Sequence, residues 1–467
     1  MENTNKLATN RLFLLIIQMA VPSIFSMFIQ SMYNIVDSIF VAMLSTEALT
    51  ATSIAYPIQN LILAITVGFG TGLNAFLARN LGRKNYKQAN QAASLGLLMS
   101  IVHYLIVLLL SLFLAKPFLS LFSDNPTTID LAYQYIMIIC IFSFSVFIHI
   151  TIEKVFQACG SMVEPMLFQL LGSIVNLILD PIFIFGWGIF PAMGIRGAAI
   201  ATVIGQAVSM MIAIYVYRRK KLDVQFQFKQ LQWNGKILKE IYTTSIPSFL
   251  LLSIGSVMVS CLNYLLKAFS EVAVLAFGIY FRLQTFVFMP INGLVQGTLP
   301  IMSFSYGAKQ KERLLDCLKI SLALTCFFSI LGTVIFQMFP GTLLMLFNSS
   351  PEVLSVGVPA LRIISLSFFF AGFGYVFTSY FQATRSPLFS VFIILGRQLL
   401  ILVPLAMLFG QVKGLNGFWW AFIATEGIVM AMSFILLKLD LSRKAIYKIP
   451  ARQGSACLDK ATEAVKS

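Results

Sequence analysis

The chain has 467 residues, 58% of them apolar and only 11% charged, with a mean hydropathy of +0.86. A soluble globular domain carries about 25% charged residues, so this composition excludes one. The 33 Lys and Arg against 18 Asp and Glu give a formal charge of +15; in a chain built of apolar runs such an excess sets membrane topology, and no nucleic-acid partner is expected.

Runs such as 92–114 and 391–409 are long enough to cross a hydrocarbon core of about 30 Å. Apolar runs between polar breaks predict helices over 12–43, 50–78, 91–115, 130–158, 164–185, 195–217, 240–267, 273–302, 315–339, 354–382, 387–409 and 414–438. Backbone groups in lipid must be satisfied within the segment or in a closed barrel, and continuous apolar runs choose helices. The expected fold class is therefore an all-α integral membrane protein with twelve transmembrane helices. Only the linker after the sixth helix, where Val224, Phe226 and Phe228 alternate with Gln225 and Gln227, reads as extended. Lys6 and Arg11 precede the first apolar run, but no A-x-A-like cleavage site follows, so that run reads as the first transmembrane helix. The six cysteines are scattered and have no C-x-x-C spacing, so neither a disulfide framework nor a metal site is expected.

Most basic residues fall in predicted loops on the side of the N-terminus, which places both termini in the cytoplasm. The chain also resembles itself at a shift of 225 residues. Pro22-Ser23 meets Pro247-Ser248, Gly68 and Gly72 meet Gly293 and Gly297, Gly82-x-Lys84 meets Gly307-x-Lys309, and Phe156-Gln157-Ala158 meets Phe381-Gln382-Ala383. After small gaps Phe185-Gly186 meets Phe409-Gly410, and Gly194-x-x-Gly197 meets Gly414-x-x-Gly417. Six helices per repeat make the two repeats parallel and place a cavity between two lobes. The expected organisation is an N-terminal lobe over 1–217, a cytoplasmic linker over 218–239, a C-terminal lobe over 240–438 and a cytoplasmic tail over 439–467.

Ionisable groups deep in a bilayer are costly and mark cavities or ion paths. Four acids fall within predicted spans: Asp37, Glu153, Asp180 and Glu426. Asn34 and Tyr33 share a helix face with Asp37, and Asn176 lies one turn before Asp180. Thr202 adds a hydroxyl on the sixth helix. Two carboxylates with amide neighbours suit a proton or a hard monovalent cation, with sodium at Asp37, Asn176 and Asp180 as one form of the site; alternatively, either acid bonds a neighbouring helix. Glu153, with His149 one turn before it and Lys154 adjacent, either attracts a cationic ligand or pairs with Lys154. Tyr33 and Glu426 complete the candidate substrate contacts, and Leu262 occupies the position matching Asp37 in the second half, so cation coupling should concentrate in the first lobe.

Taken in order, these motifs resemble the multidrug and toxic compound extrusion (MATE) family. They are Tyr33-Asn34-x-x-Asp37, Gly82-Arg83-Lys84-Asn85 with its repeat Gly307-Ala308-Lys309-Gln310, Phe156-Gln157-Ala158-x-Gly160, Asn176-x-x-x-Asp180-Pro181, Gly194-x-x-Gly197-Ala198-Ala199 and Phe381-Gln382-Ala383. The resemblance implies a V-shaped bundle of two six-helix lobes in a bacterial cytoplasmic membrane. Such a protein would export cationic amphipathic drugs by alternating access, driven by proton or sodium influx. It implies coupling at Asp37 and Asp180 with Asn34, Asn176 and Thr202 nearby, a cavity-facing role for Glu153, no cofactor and a monomer. A second branch of the family uses acids in the seventh and tenth helices, where this chain has only Glu240 and Glu352, at helix ends. A lipid-linked precursor flippase of related fold is the alternative, kept open by Arg282, Arg362 and Arg397. Against a membrane-embedded enzyme such as a prenyl transferase stand the isolation of the buried acids and the lack of D-D-x-x-D and H-E-x-x-H.

Overall fold

A computed structural model describes residues 6–9, 11–187, 190–228, 232–347 and 350–444. The first lobe contains α1 (Leu12–Ala42), α2 (Thr46–Gly82), α3 (Tyr86–Leu119), α4 (Pro126–Phe142), α5 (Phe144–Ala158), α6 (Val163–Phe185) and α7 (Ile195–Arg219). The second contains α8 (Gly235–Lys267), α9 (Glu271–Gly307), α10 (Lys311–Met338), the short α11 (Pro340–Met345), α12 (Pro351–Ser365), α13 (Phe368–Ala383), α14 (Pro387–Leu395), a π-helical turn (Gly396–Leu400) and α15 (Leu402–Arg443). The part of the expected tail over 445–467 lies outside the described residues, as do Cys457 and the first five residues.

Two predicted helices are broken. α4 and α5 meet at 48°, and α12 and α13 at 49°. The sequence offers neither Pro nor Gly at these joints; a serine stands at each, Ser143 and Ser367. The Ser143 hydroxyl donates to the Cys140 carbonyl at 2.9 Å, a back-bond that competes with the helical ladder and bends it. The run Pro387–Arg443 is 57 residues long, about 85 Å at 1.5 Å per residue, enough for two crossings. It divides at Gly414, whose φ of 64° and ψ of −153° interrupt the helix. Gly417 then lies against the Phe409 carbonyl, and Gly410 against the Phe418 ring, so the chain doubles back. Gly194, its repeat counterpart, has φ 55° and ψ −131°. Counting each bent pair as one crossing and this run as two, the described residues make twelve crossings.

The repeat is visible in local chemistry. Ser45 caps α2 through the Ala48 amide, and Ser270 caps α9 through the Ala273 amide. Lys84 and Lys309 take left-handed φ values of 57° and 58° in the matching turns that follow. The alternating segment over 224–228 is not a strand. Its amides are satisfied by side chains instead: Gln225 donates to Asn90 Oδ1, Phe226 to the Tyr217 hydroxyl and Gln227 to the Ser94 hydroxyl.

One hydrophobic core is confined to the first lobe, around Ala55, Tyr135, Ile136 and Phe147. A second is confined to the other lobe, around Phe277, Phe368, Trp419 and Phe422. A third joins both lobes at the end where the N-terminal segment lies, with Leu15, Ile16 and Met19 packed in the same cluster as Leu294, Ile301 and Phe377. The lobes are thus sealed at this terminal face and have separate cores away from it.

The repeated glycines make the seal. A Cβ on Gly68 would meet Phe249, and one on Gly293 would meet Ile24; Gly72 faces Ser245, and Gly297 faces Ala20. Each pair of contacts is the other displaced by 225 residues. Nearest the surface, a Cβ on Gly82 would lie 2.2 Å from the Phe304 carbonyl and one on Gly307 would lie 2.0 Å from the Arg79 carbonyl. Small residues let membrane helices approach backbone to backbone. Gly307→Ala has no space in this arrangement. Overpacking of this kind costs about 1–3 kcal/mol, so maleimide labelling of a Ser245→Cys reporter, buried in the seal, should accelerate in that variant.

Candidate functional site

The sealed end leaves a cavity of about 180 Å³ in the first lobe, between α1, α2, α5, α6 and α7. Its polar lining includes Gln30, Tyr33, His149, Glu153, Asn176 and Gln206, and Gln296 reaches in from the second lobe. Close approach of α6 and α7 builds its deep wall. Gly172 packs on Ser209 and the Gly205 carbonyl, and the Ser209 hydroxyl donates to the Phe168 carbonyl at 2.9 Å. Bulkier residues at Gly172 or Gly205 would separate the helices that carry the polar side chains.

At one side of the cavity four predicted residues form a chain. Asn176 Nδ2 lies 3.4 Å from both Asp180 Oδ1 and Thr202 Oγ1, and the Tyr33 and Thr202 hydroxyls are 3.4 Å apart. Asp180 is fully buried, and α6 continues through Pro181 to Phe185. The carboxyl of Asp37 lies within electrostatic reach of Asp180, Tyr33 and Tyr135. Gln59 holds the Tyr135 hydroxyl at 3.2 Å. Asp37 Oδ1, Asn176 Oδ1 and Asp180 Oδ2 are buried and have no hydrogen-bond partner among the described residues. Acceptor oxygens left without donors in a low-dielectric setting create a demand for a proton or a small cation. Among the described residues no three His, Cys, Asp or Glu side chains converge as a metal site. The donor set is two carboxylates, an amide and hydroxyls, which suits a hard monovalent cation. Asn34, in contrast, is exposed, and its carbonyl accepts from the Ser38 hydroxyl at 2.7 Å.

Glu153 is already engaged. Its Oε1 accepts from Lys154 Nζ at 2.9 Å and from Gln157 Nε2 at 2.7 Å, while Gln157 Oε1 accepts from Lys154 at 3.1 Å and from Asn74 at 3.2 Å. Gly70 on α2 leaves space for the Lys154 stem, since a Cβ there would stand 2.8 Å from Lys154 Cγ. Of the two roles the sequence left open for Glu153, pairing with Lys154 is the one seen, and Glu153 also lines the cavity. Glu426 is placed elsewhere. It lies in the second lobe, where Arg397 Nη2 donates to its Oε1 at 2.8 Å, and it is not among the residues lining this cavity.

Sequence reasoning missed the glutamines of the cavity, and it placed His149 beside Glu153 without a lining role; the His149 Nε2 is buried without a partner among the described residues. The signal was present as helical stripes: Gln169, Ser173, Asn176 and Asp180 on α6, and Thr202, Gln206 and Ser209 on α7. Also missed was an ion-pair network across the seal. Buried Arg79 donates to Glu240 Oε1 at 3.2 Å and to the Gln382 and Ala383 carbonyls, and Arg385 donates to Glu240 Oε2 at 2.8 Å.

A family model, MatE, matches residues 22–182 and 245–408, one match per lobe. The chain belongs to the MatE family. Among the proteins it is similar to, the multidrug export protein MepA of Staphylococcus haemolyticus is 24% identical over 420 residues, covering 90% of this chain and 91% of the relative. An FAD transporter of Shewanella oneidensis is 27% identical over 405 residues, covering 86% and 89%. A solved outward-facing structure of a multidrug resistance MATE transporter superposes with a TM-score of 0.89 at 23% identity, covering 96% of this chain and 99% of that one. This is the twelve-helix, two-lobe MATE fold. As a MatE protein the chain is a multi-pass membrane transporter, not a catalytic enzyme.

Proposed function

We propose that the protein is a cation-coupled antiporter that exports cationic, amphipathic drugs by alternating access. It would lie in the cytoplasmic membrane of a bacterium as a monomer with both termini inside, and it needs no cofactor. The observation that carries this reading is the Tyr33, Thr202, Asn176 and Asp180 chain, with Asp37 in electrostatic reach of it: Tyr33, Asn176 and Thr202 line the cavity, and the two carboxylates are not themselves among the lining residues. Protonation or sodium binding at Asp37 and Asp180 removes the repulsion between two carboxylates and supplies the missing donor or cation. Coupling requires that the ion bind one conformation more tightly than the other. Asp37 and the cavity-lining Tyr33 both lie on α1, which makes that helix the element whose packing the ion would change.

Cationic substrates are favoured by the polarity of the first lobe. Among the described residues Lys154 is the only Lys or Arg lining the cavity, and it is offset by Glu153. The flippase reading would need an uncompensated basic cavity. Arg282 and Arg362 are exposed and line neither wall of the cavity, and Arg397 is neutralised by Glu426. Overexpression should therefore lower ethidium accumulation in intact cells; no change for any cationic compound in a susceptibility panel would favour the flippase.

Lys154→Met is expected to free the Glu153 carboxylate for the ligand. A charge-assisted contact is worth about 1.5–3 kcal/mol, so ethidium should bind the purified variant about tenfold more tightly, or better, in a fluorescence titration. Unchanged affinity would remove Glu153 from the substrate site.

A further inference from the structure

The repeat assigns second-lobe counterparts to residues of the first-lobe cavity on α6 and α7. Gly172 corresponds to Gly396 at a shift of 224, and Ser209 to Val429 at a shift of 220. The structure keeps the neighbourhood as well, more loosely: a Cβ on Gly172 would run into Ser209, and one on Gly396 would come within 3.8 Å of Val429, with Ile401 and Met432 nearer still. In that register cavity-lining Ser173 corresponds to Arg397, and cavity-lining Gln206 corresponds to Glu426.

Where the first lobe has a small hydroxyl and an amide beside open space, the second has a buried ion pair. Arg397 donates to Glu426 Oε1 through Nε at 3.2 Å and Nη2 at 2.8 Å, and its guanidinium lies 4.4 Å from the centre of the Tyr375 ring. The π-helical turn Gly396–Leu400 carries the arginine, with the Ile401 amide reaching back to the Gly396 carbonyl at 3.0 Å. The rest of the polar cluster is absent from the second lobe too. Leu262, Leu400 and Phe422 stand at the positions of Asp37, Asn176 and Thr202.

We propose that the Arg397–Glu426 pair is a specificity determinant that fills the second lobe's counterpart of the substrate cavity and so confines the substrate to the first lobe. Two facts argue that filling is its function. A pair that takes two ions out of water contributes little net stability compared with apolar residues of the same volume, so stability alone does not explain it. Its two members also replace, position for position, side chains that border open space in the other lobe. The inference rests on the first-lobe cavity being the substrate site.

The test is the number of ethidium molecules bound per protein in lipid nanodiscs. Wild type should bind one. Arg397→Ser combined with Glu426→Gln, which installs the first lobe's own residues, should bind two and should broaden the range of compounds exported. Arg397→Met combined with Glu426→Gln removes the charges but keeps the volume, and should still bind one. Arg397→Thr with Glu426→Ser opens the same space by other side chains and serves if the first combination does not fold. One site in every opened variant, or two sites in the Met variant, overturns the inference alone. A wild type that binds no ethidium overturns the cavity reading and this inference with it.

Discussion

Glu240→Gln should shift the protein out of the sealed arrangement and toward one open at the terminal face. Glu240 is the carboxylate between two arginines from different parts of the chain, Arg79 at 3.2 Å and Arg385 at 2.8 Å. Arg79 is fully buried and reaches across the seal, so in the variant it loses its counter-charge and keeps only neutral acceptors in the other lobe, the Gln382 and Ala383 carbonyls and the amide oxygen at 240. Breaking a fully buried pair costs about 3–5 kcal/mol. Glu240 retains 20% exposure, which lowers the figure to about 2 kcal/mol, or about 30-fold in the equilibrium between the two arrangements. Spin labels at Lys87 and Glu312, exposed positions on the two lobes, should report a second, longer distance. Adding Arg79→Met removes the stranded charge and should restore much of the shorter distance, because an apolar side chain tolerates the site that an unpaired guanidinium does not. A single unchanged distance in Glu240→Gln would show that the glycine contacts alone hold the seal.

The second large effect belongs to the carboxylates of the first lobe. Asp180→Asn keeps the volume and the hydrogen bond to Asn176 but cannot take up a proton or hold a cation, and the same is true of Asp37→Asn. Each should reduce ethidium efflux to the level of cells without the protein, with little loss of folded protein, since an amide satisfies a buried site at lower desolvation cost than a carboxylate. Asn34→Ala is expected to be mild, because Asn34 is exposed and is engaged through its backbone carbonyl. A drug-binding titration separates loss of coupling from loss of binding: Asp180→Asn should retain ethidium affinity within a few-fold.

Much of this was legible before any coordinates, for physical reasons. Apolar runs of bilayer length have one solution in lipid, so twelve crossings followed directly. The parallel repeat was readable because Gly72 and Gly297 are forced by the close approach of a neighbouring helix, and such positions tolerate few residue types. The polar chain on α6 was half visible, since Asn176 and Asp180 are one helical turn apart; its link to Tyr33 and Thr202 depends on how α1 and α7 pack. Pairing of adjacent residues, as in Glu153 and Lys154, was legible, but long-range pairing was not. Arg79 and Glu240 are 161 residues apart, and Arg397 and Glu426 are 29 apart on different crossings. Only tertiary packing brings such charges together. The bends at Ser143 and Ser367 also escaped notice, because serine inside an apolar run is neutral by composition; the back-bonds at these joints, from Ser143 to the Cys140 carbonyl and from Ser365 to the Arg362 carbonyl, depend on geometry.

The most direct test of the account is ethidium transport in proteoliposomes with proton and sodium gradients imposed separately, wild type beside Asp180→Asn. The account predicts that one of the two gradients drives wild-type transport and that neither drives the variant. Transport by Asp180→Asn at the wild-type rate under either gradient would contradict it.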